Sequence, residues 1–221
     1  LKGHAIKPFW DWVASWAMCV GKPSDIGPFS DEGYNLPKLH LHPHVVESDI
    51  TTGKEDGALF RMGGLSATGI HKEKRLSLGD RAVYAARLVA AEPGEPWMLW
   101  VETNDEADAV KSLIPGLVEV RGNMTPEMKE SRLLGFCDGG LLMTKPRIGG
   151  MGLNYQHCAR TIFVGGSYSY EQFYQCVRRF WRFGQKREVH AYILMGFGEQ
   201  KLWDVVSGKG EKHDDMKAQM F

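Results

Sequence analysis

Three arginines and two glutamines fall within eleven residues, QCVRRFWRFGQ (175–185). On a helix turning roughly 100° per residue, Gln175, Arg178, Arg179 and Arg182 share an arc of about 100°, and Phe173, Val177 and Phe180 lie opposite. One face is then core, and the other carries three guanidiniums and an amide. A guanidinium offers a rigid fork of donors that suits phosphate or carboxylate oxygens. Three on one arc repel one another unless an anion or carboxylates face them; the competing reading is a solvated basic face. A second stretch, TKPRIGGMGLN (144–154), sets Lys145 and Arg147 ahead of Gly149, Gly150 and Gly152. Glycine admits positive φ and close approach of the backbone to a ligand, although a tight strand-to-helix turn also uses it. Brought to one edge of a fold, the two stretches would form a polyphosphate or nucleic-acid backbone site.

The elements that must position them alternate. WMLWV (97–101), LVEVR (117–121), LLMT (141–144), RTIFVG (160–165) and EVHAYIL (188–194) are short apolar runs suited to buried strands. Between them, helices are expected over GDRAVYAARLVAA, DEADAVKSL, TPEMKESRLLGF and SYEQFYQCVRRFWRFG. Their caps are Ser77 with Asp80, Asn104 or Asp105, Thr125 followed by Pro126, and Ser169 with Gln172. Such alternation implies an α/β fold: a doubly wound, mostly parallel sheet with helices on both faces. Ligands then bind outside the carboxyl ends of the strands, where TKPRIGGMGLN and GSYSYEQ lie. Residues 7–20 read as an aromatic-rich buried helix. GKPSDIGPFSDEGYNLPKL reads as a linker, HLHPHVVESDI as an edge strand because of Pro43, and residues 59–77 as irregular and basic. GEQKLWDVVS closes the chain as a helix.

Lysines and arginines number 27 and acids 27 in 221 residues, so any nucleic-acid affinity must come from local clusters. The four cysteines form no zinc spacing and read as reduced, buried thiols. The longest apolar run, residues 12–20, is too short for a bilayer and lacks a secretory flank. A cytoplasmic (bacterial or phage) or nucleoid-associated protein is expected, neither secreted nor a membrane partner. The chain begins at Leu1 and reads as part of something longer.

TKPRIGGMGLNYQ and YEQFYQCVRRFWRFGQKREVHAYIL resemble the fifth and sixth motifs of superfamily 2 helicases, closest to the Swi/Snf-like branch of double-stranded DNA translocases. The matching positions are Gly149, Gly150, Gly152, Leu153 and Asn154, then Gln175, Arg179, Arg182, Gly184 and Gln185. VEVRGNMTPEMKESRLLGF resembles the strand–Gly–helix block of that family through Gly122 and Phe136, with Lys129 where arginine is usual. The resemblance covers roughly residues 75–196, and GKPSDIG…YNLPKL is similar to the segment that leaves the first lobe.

It implies the C-terminal, RecA-like lobe of a two-lobe ATPase over 71–196. A mainly helical or irregular segment (1–70), the first lobe's tail and inter-lobe linker, precedes it; a helix and tail (197–221) follow. It further implies Arg179 and Arg182 as catalytic fingers on ATP, and Gln175, Gly149, Gly150, Gly152 and Asn154 as nucleotide-binding and coupling residues. Lys145, Arg147, Gly122 and Arg178 would contact nucleic acid. The implied partners are duplex DNA and the first lobe, and the cofactors are ATP and Mg2+, held mainly by that lobe. Each Gly-Lys pair in the chain is followed by Pro23, Glu55 or Gly210, so no G-x-x-x-x-G-K-[ST] phosphate loop is present. The chain alone is therefore expected not to hydrolyse ATP. Two rivals stand beside this reading: a lobe acting on RNA or single strands, and a non-catalytic phosphate or nucleic-acid binding module with the same fold.

Other residues read more plainly. Asp105, Glu106, Ala107 and Asp108 spell DEAD without a preceding phosphate loop. They are expected to complement a helix dipole and to be dispensable. His40, His42 and His44 would share a strand face, but Pro43 interrupts and no carboxylate or cysteine partner is evident, so no metal ligands are assigned. Trp10, Trp12 and Trp16 are expected to pack in a small core. Lys72, Lys74 and Arg75 read as a solvated run, and Tyr168, Tyr170 and Tyr174 as neighbours of the arginine helix.

Overall fold

In the computed structural model, residues 3–18, 20–46, 67–150, 152–166, 169–201 and 203–208 are described. They form, in order, α1 (Gly3–Ala14), β1 (Leu39–Val45), α2 (Ala67–Leu76), α3 (Leu78–Ala91), β2 (Trp97–Trp100), α4 (Asn104–Leu113), β3 (Val118–Val120), α5 (Pro126–Gly135), β4 (Leu141–Thr144), α6 (Pro146–Gly149), β5 (Arg160–Phe163), α7 (Tyr170–Val177) and β6 (Val189–Met195). Residues 203–208 are helical. The six strands form one all-parallel sheet in the order β1-β6-β5-β2-β4-β3. This is an α/β RecA-like fold. Tyr168 and the tail beyond 208 lie outside the described residues.

A central parallel strand is covered on both faces and must be apolar on both. WMLW fits, with all four residues of β2 buried. Met98 and Trp100 point to one layer, with Leu133 of α5, Phe173 and Val177 of α7, and Trp203. Trp97 and Leu99 point to the other, with Ala82, Ala85 and Val89 of α3 and Ala107 and Val110 of α4. Each such buried large side chain contributes on the order of 2–3 kcal/mol. The sheet takes in β1 at its edge, as HLHPHVVESDI implies; Pro43 sits there, where its missing N–H costs no ladder bond.

Local chemistry sets most helix starts. Thr125 accepts from Met128 N, and Pro126 follows it. Thr103 caps α4 in a reciprocal box with Glu106, one residue before the expected caps Asn104 and Asp105. Ser77 caps nothing. Its hydroxyl donates to Glu73 O and accepts from Arg81 Nε, so α2 runs almost straight into α3. Residues 67–76, read as irregular, are thus helical.

Three expectations about burial fail for want of a partner surface or because of one. In α1 only Val13 is buried, and Trp12 and Trp16 are 59% and 65% exposed. The aromatic rings of α1 pack on one another, Phe9 on Trp10 and Trp12 on Trp16. Lys74, expected in solvent, is buried, and its Nζ donates to Gly166 O at 2.7 Å. Cys137 is exposed; Cys158 and Cys176 are buried. Burial pushes the Cys158 thiol up to about 12, which keeps it protonated.

Glu106, the second letter of DEAD, lies in the first turn of α4 as expected and does more there than complement its dipole. It is buried, pairs with the fully buried Arg81 at 2.9 Å, and accepts from the backbone N–H groups of Glu102 and Thr103. Arg81 donates further to Val164 O and Lys74 O. This group ties α3, α4 and the strand ends together. Asp105 stays exposed in the first turn of α4, as a dipole complement would. Among the described residues, no helix is long and apolar enough to cross a membrane.

Candidate functional site

The arginine segment does not form the long helix expected of it. Helix α7 ends at Val177, and residues 178–185 follow as successive tight turns. The carbonyls that a continuing helix needs are taken by other groups. Arg179 O accepts from Tyr155 N at 2.9 Å, and Phe180 O accepts from Gln185 Nε2 at 3.2 Å. Gln185 is buried and also donates to Gln156 O and Cys158 O, so this motif residue is a knot in the chain. Phe180 still drops into the core, with no exposed surface.

The turns leave Arg178, Arg179 and Arg182 along one groove of about 360 Å³, lined also by Tyr174, Gln175 and Tyr34. Arg179 donates through Nε to Gln175 O, through Nη1 to Leu153 O and through Nη2 to Gln175 Oε1, at 3.1–3.3 Å. Arg182 Nη1 donates to Asn154 Oδ1, and its Nε is buried with no partner. Arg178 stacks over Tyr174 and Trp181, 5.8 and 5.3 Å from the ring centroids. Burial and the neighbouring Arg182 lower the pKa of Arg179. Among the described residues, no carboxylate lies within ion-pair reach of any of the three.

The glycine loop meets this segment directly. Leu153 O, Asn154 Oδ1 and Tyr155 N each bond to Arg179 or Arg182. Of its glycines only Gly152 has a positive φ, +80°. Gly149 and Gly150 serve packing instead. A Cβ on Gly149 would lie 2.7 Å from Thr144 Cγ2, and one on Gly150 would lie 2.3 Å from Pro146 O. They let α6 fold tightly off β4 and settle against Cys176. The expectation of open φ therefore holds for one glycine in three.

Lys145 and Arg147 follow β4, and Gly122 follows β3; Val120 and Thr144 are register partners, so all three sit at the carboxyl end of that strand pair. Gly122 is exposed, and its carbonyl accepts from Lys129 Nζ at 2.7 Å. Arg178 is parted from this group and joins the other two arginines. Gln175 links the sets, since it also lines a smaller cavity of about 240 Å³ with Arg147 and Gly150.

Residues 21–37 form the far wall, which spacing within the motifs could not reveal. Tyr34 packs on Phe183 at 4.8 Å between ring centroids. Trp181 Nε1 donates to Pro37 O at 2.6 Å. Gly33 holds φ +79° with the Phe183 ring 2.6 Å from where its Cβ would stand, so only glycine fits.

No family model and no curated sequence matches the chain. Solved structures do match. One is a crystal structure of the C-terminal part of the Fun30 ATPase domain, with a TM-score of 0.51 and 16% identity. The alignment covers 57% of this chain and 45% of that one, so this chain accounts for less than half of its neighbour. At that identity the likeness concerns the fold.

Proposed function

We propose that this chain is the second motor lobe of a DNA-dependent ATPase that translocates on duplex DNA. The observation that carries the reading is the groove of three guanidiniums with no carboxylate beside them among the described residues. A cluster of that kind carries uncompensated positive charge and fits the oxygens of a polyphosphate. The arginine and glycine motifs, their direct bonding to each other, and a fold like that of the C-terminal part of an ATPase domain support the same reading. The donor set suits ATP phosphates. It offers magnesium nothing, because no carboxylate lines the groove among the described residues. The ion and the phosphate loop belong to the other lobe in this reading. Hydrolysis of bound ATP supplies the free energy for movement.

The arginines then divide the work. Arg182 has donors to spare and serves as the finger that meets charge on the transferring phosphoryl group. Arg179 is braced by Gln175 and Leu153 and holds a second positive charge beside it. Arg178 lines the same groove. Through Leu153, Asn154 and Tyr155, a shift of the arginines reaches the glycine loop, and thence Lys145, Arg147 and Gly122 on the DNA backbone. The isolated chain is inactive as an ATPase.

The test is DNA-stimulated ATP hydrolysis by the intact protein carrying Arg182→Ala or Arg179→Ala. Both should abolish stimulated turnover, with duplex DNA a better activator than RNA. ATP hydrolysis by this chain alone, lost on Arg179→Ala, would overturn the two-lobe reading. Stronger activation by RNA would reassign the substrate.

A further inference from the structure

The arginine groove uses none of the histidines on β1 and β6. His40 and His190 are register partners on these parallel strands, as are His42 and Tyr192. Their rings stack along one face of the sheet: His40 on His190 at 4.6 Å and 13°, His42 on Tyr192 at 4.6 Å and 18°. Glu188, the residue before β6, places Oε2 3.0 Å from His40 Nε2. His42 Nε2 lies 3.0 Å from His190 Nδ1. One donor atom from each of His40, Glu188 and His190 falls within 4.8 Å of the others.

We propose that His40, His190 and Glu188 bind one divalent transition-metal ion of the zinc type, with His42 as the outer partner that orients His190. Two imidazoles and a carboxylate form a three-ligand set typical of zinc sites that keep a fourth position for water. Tetrahedral zinc, with bonds of about 2.0–2.1 Å, sets its ligand atoms roughly 3.4 Å apart. The observed separations reach that by side-chain adjustments of about an ångström. Both histidines stand on paired strands, which hold ligands more firmly than loops do, and Glu188 immediately precedes one of them. With His190 Nδ1 donating to His42 Nε2, the other ring nitrogen of His190 keeps its lone pair for the ion, the usual arrangement behind a ligating histidine.

Arg160 is the nearest opposing charge, on β5 beside His190. Its Nε is held by Glu92 at 2.8 Å, so its charge is already met, and its Nη1 reaches the carbonyl of Glu188 at 3.5 Å, away from the carboxylate. Imidazole donors suit zinc, nickel and copper alike, whereas magnesium and calcium favour all-oxygen sets. The ion would clip edge strand β1 to β6, because its ligands His40 and Glu188 are 148 residues apart in sequence.

The test is calorimetric titration of the untagged chain, stripped by chelator, with Zn2+ alone, and separately with Co2+ to read tetrahedral absorption. One equivalent should bind at micromolar Kd or tighter, and tetrahedral Co2+ bands should appear. His40→Gln and Glu188→Gln should each weaken binding at least tenfold, His190→Gln more, and His42→Phe about 10–100-fold through the outer partner. A saturating 100-fold excess of Zn2+ over Kd should raise Tm by about 5–10 °C, a shift absent in Glu188→Gln. Glu188 is largely exposed, so that variant keeps the test decisive if His190→Gln does not fold. Binding no tighter than millimolar overturns the proposal. So does Zn2+ affinity unchanged in His40→Gln and Glu188→Gln, which would place the ion elsewhere.

Discussion

Arginine is used in two opposite ways in this molecule. Arg81 is fully buried and meets a carboxylate, Glu106, along with a hydroxyl and two carbonyls. Arg178, Arg179 and Arg182 are half-buried and meet carbonyl oxygens, amide oxygens and rings. In the first group the positive charge is spent inside the fold, so the residue works as a staple. In the second, geometry is fixed by neutral acceptors, and among the described residues no carboxylate compensates the charge. The kind of acceptor, more than the number of hydrogen bonds, separates the two groups of guanidiniums here.

That contrast can be broken by experiment. Arg182→Ala in the intact protein should lower DNA-stimulated kcat about 10³–10⁵-fold, in line with a finger, while Tm moves by no more than about 3 °C. A large drop in Tm with modest loss of turnover would make Arg182 another staple. Arg81→Ala should show the reverse. It leaves Glu106 buried without its partner and should cost about 3–5 kcal/mol in denaturant unfolding. A change under about 1 kcal/mol would dissolve the distinction.

Glu106→Gln should cost somewhat less, because the amide still accepts from Arg81, and its cost should depend on pH. Burial opposes the charge of Glu106, but Arg81 and Lys74 outweigh it and hold its pKa below the ordinary 4.5. A depressed carboxylate pKa stabilises the fold fully above the unfolded value, and the gain is lost as pH falls through the folded value. The stability gap between wild type and Glu106→Gln should thus be widest near pH 7 and close below about pH 4. A gap that widens in acid would contradict the ion pair.

Gly150→Ala should cost about 1–3 kcal/mol without any ligand, through overpacking against Pro146 O. If it spares stability and hurts only nucleotide or DNA binding, the glycine faces a ligand after all. The smallest effect belongs to Lys145→Ala, which should lower the slope of log affinity against log salt by about one for duplex DNA. An unchanged slope would remove Lys145 from the DNA contact.

Much of the sheet was legible because its signals are local. The run WMLWV and its four counterparts mark buried strands by composition, and Thr125-Pro126 marks a helix start by chemistry. The arginines could be picked out by type and spacing alone. What was not legible depends on partners distant in sequence. The Arg81–Glu106 pair spans 25 residues, and the carboxylate beside His40 arrives from Glu188, 148 residues on. Helix α7 is shorter than its pattern implies because Tyr155 and Gln185 claim the carbonyls of Arg179 and Phe180 just beyond it. Trp10, Trp12 and Trp16 look like core residues because periodicity gives a helix an apolar face without saying what covers it.

The path of the chain past the arginines has a mechanical consequence. Residues 33–37 touch Phe183 and Trp181 and lead straight into β1, which is joined to β6 by seven register pairs from Leu39 to Val45. A pull on this segment along the axis of β1 loads the ladder in shear, across all its bonds together, where a perpendicular pull would peel them one by one. The attachment is therefore stiff along the line of tension, and strain arriving from upstream is felt first at the rings of Trp181 and Phe183, on either side of Arg182.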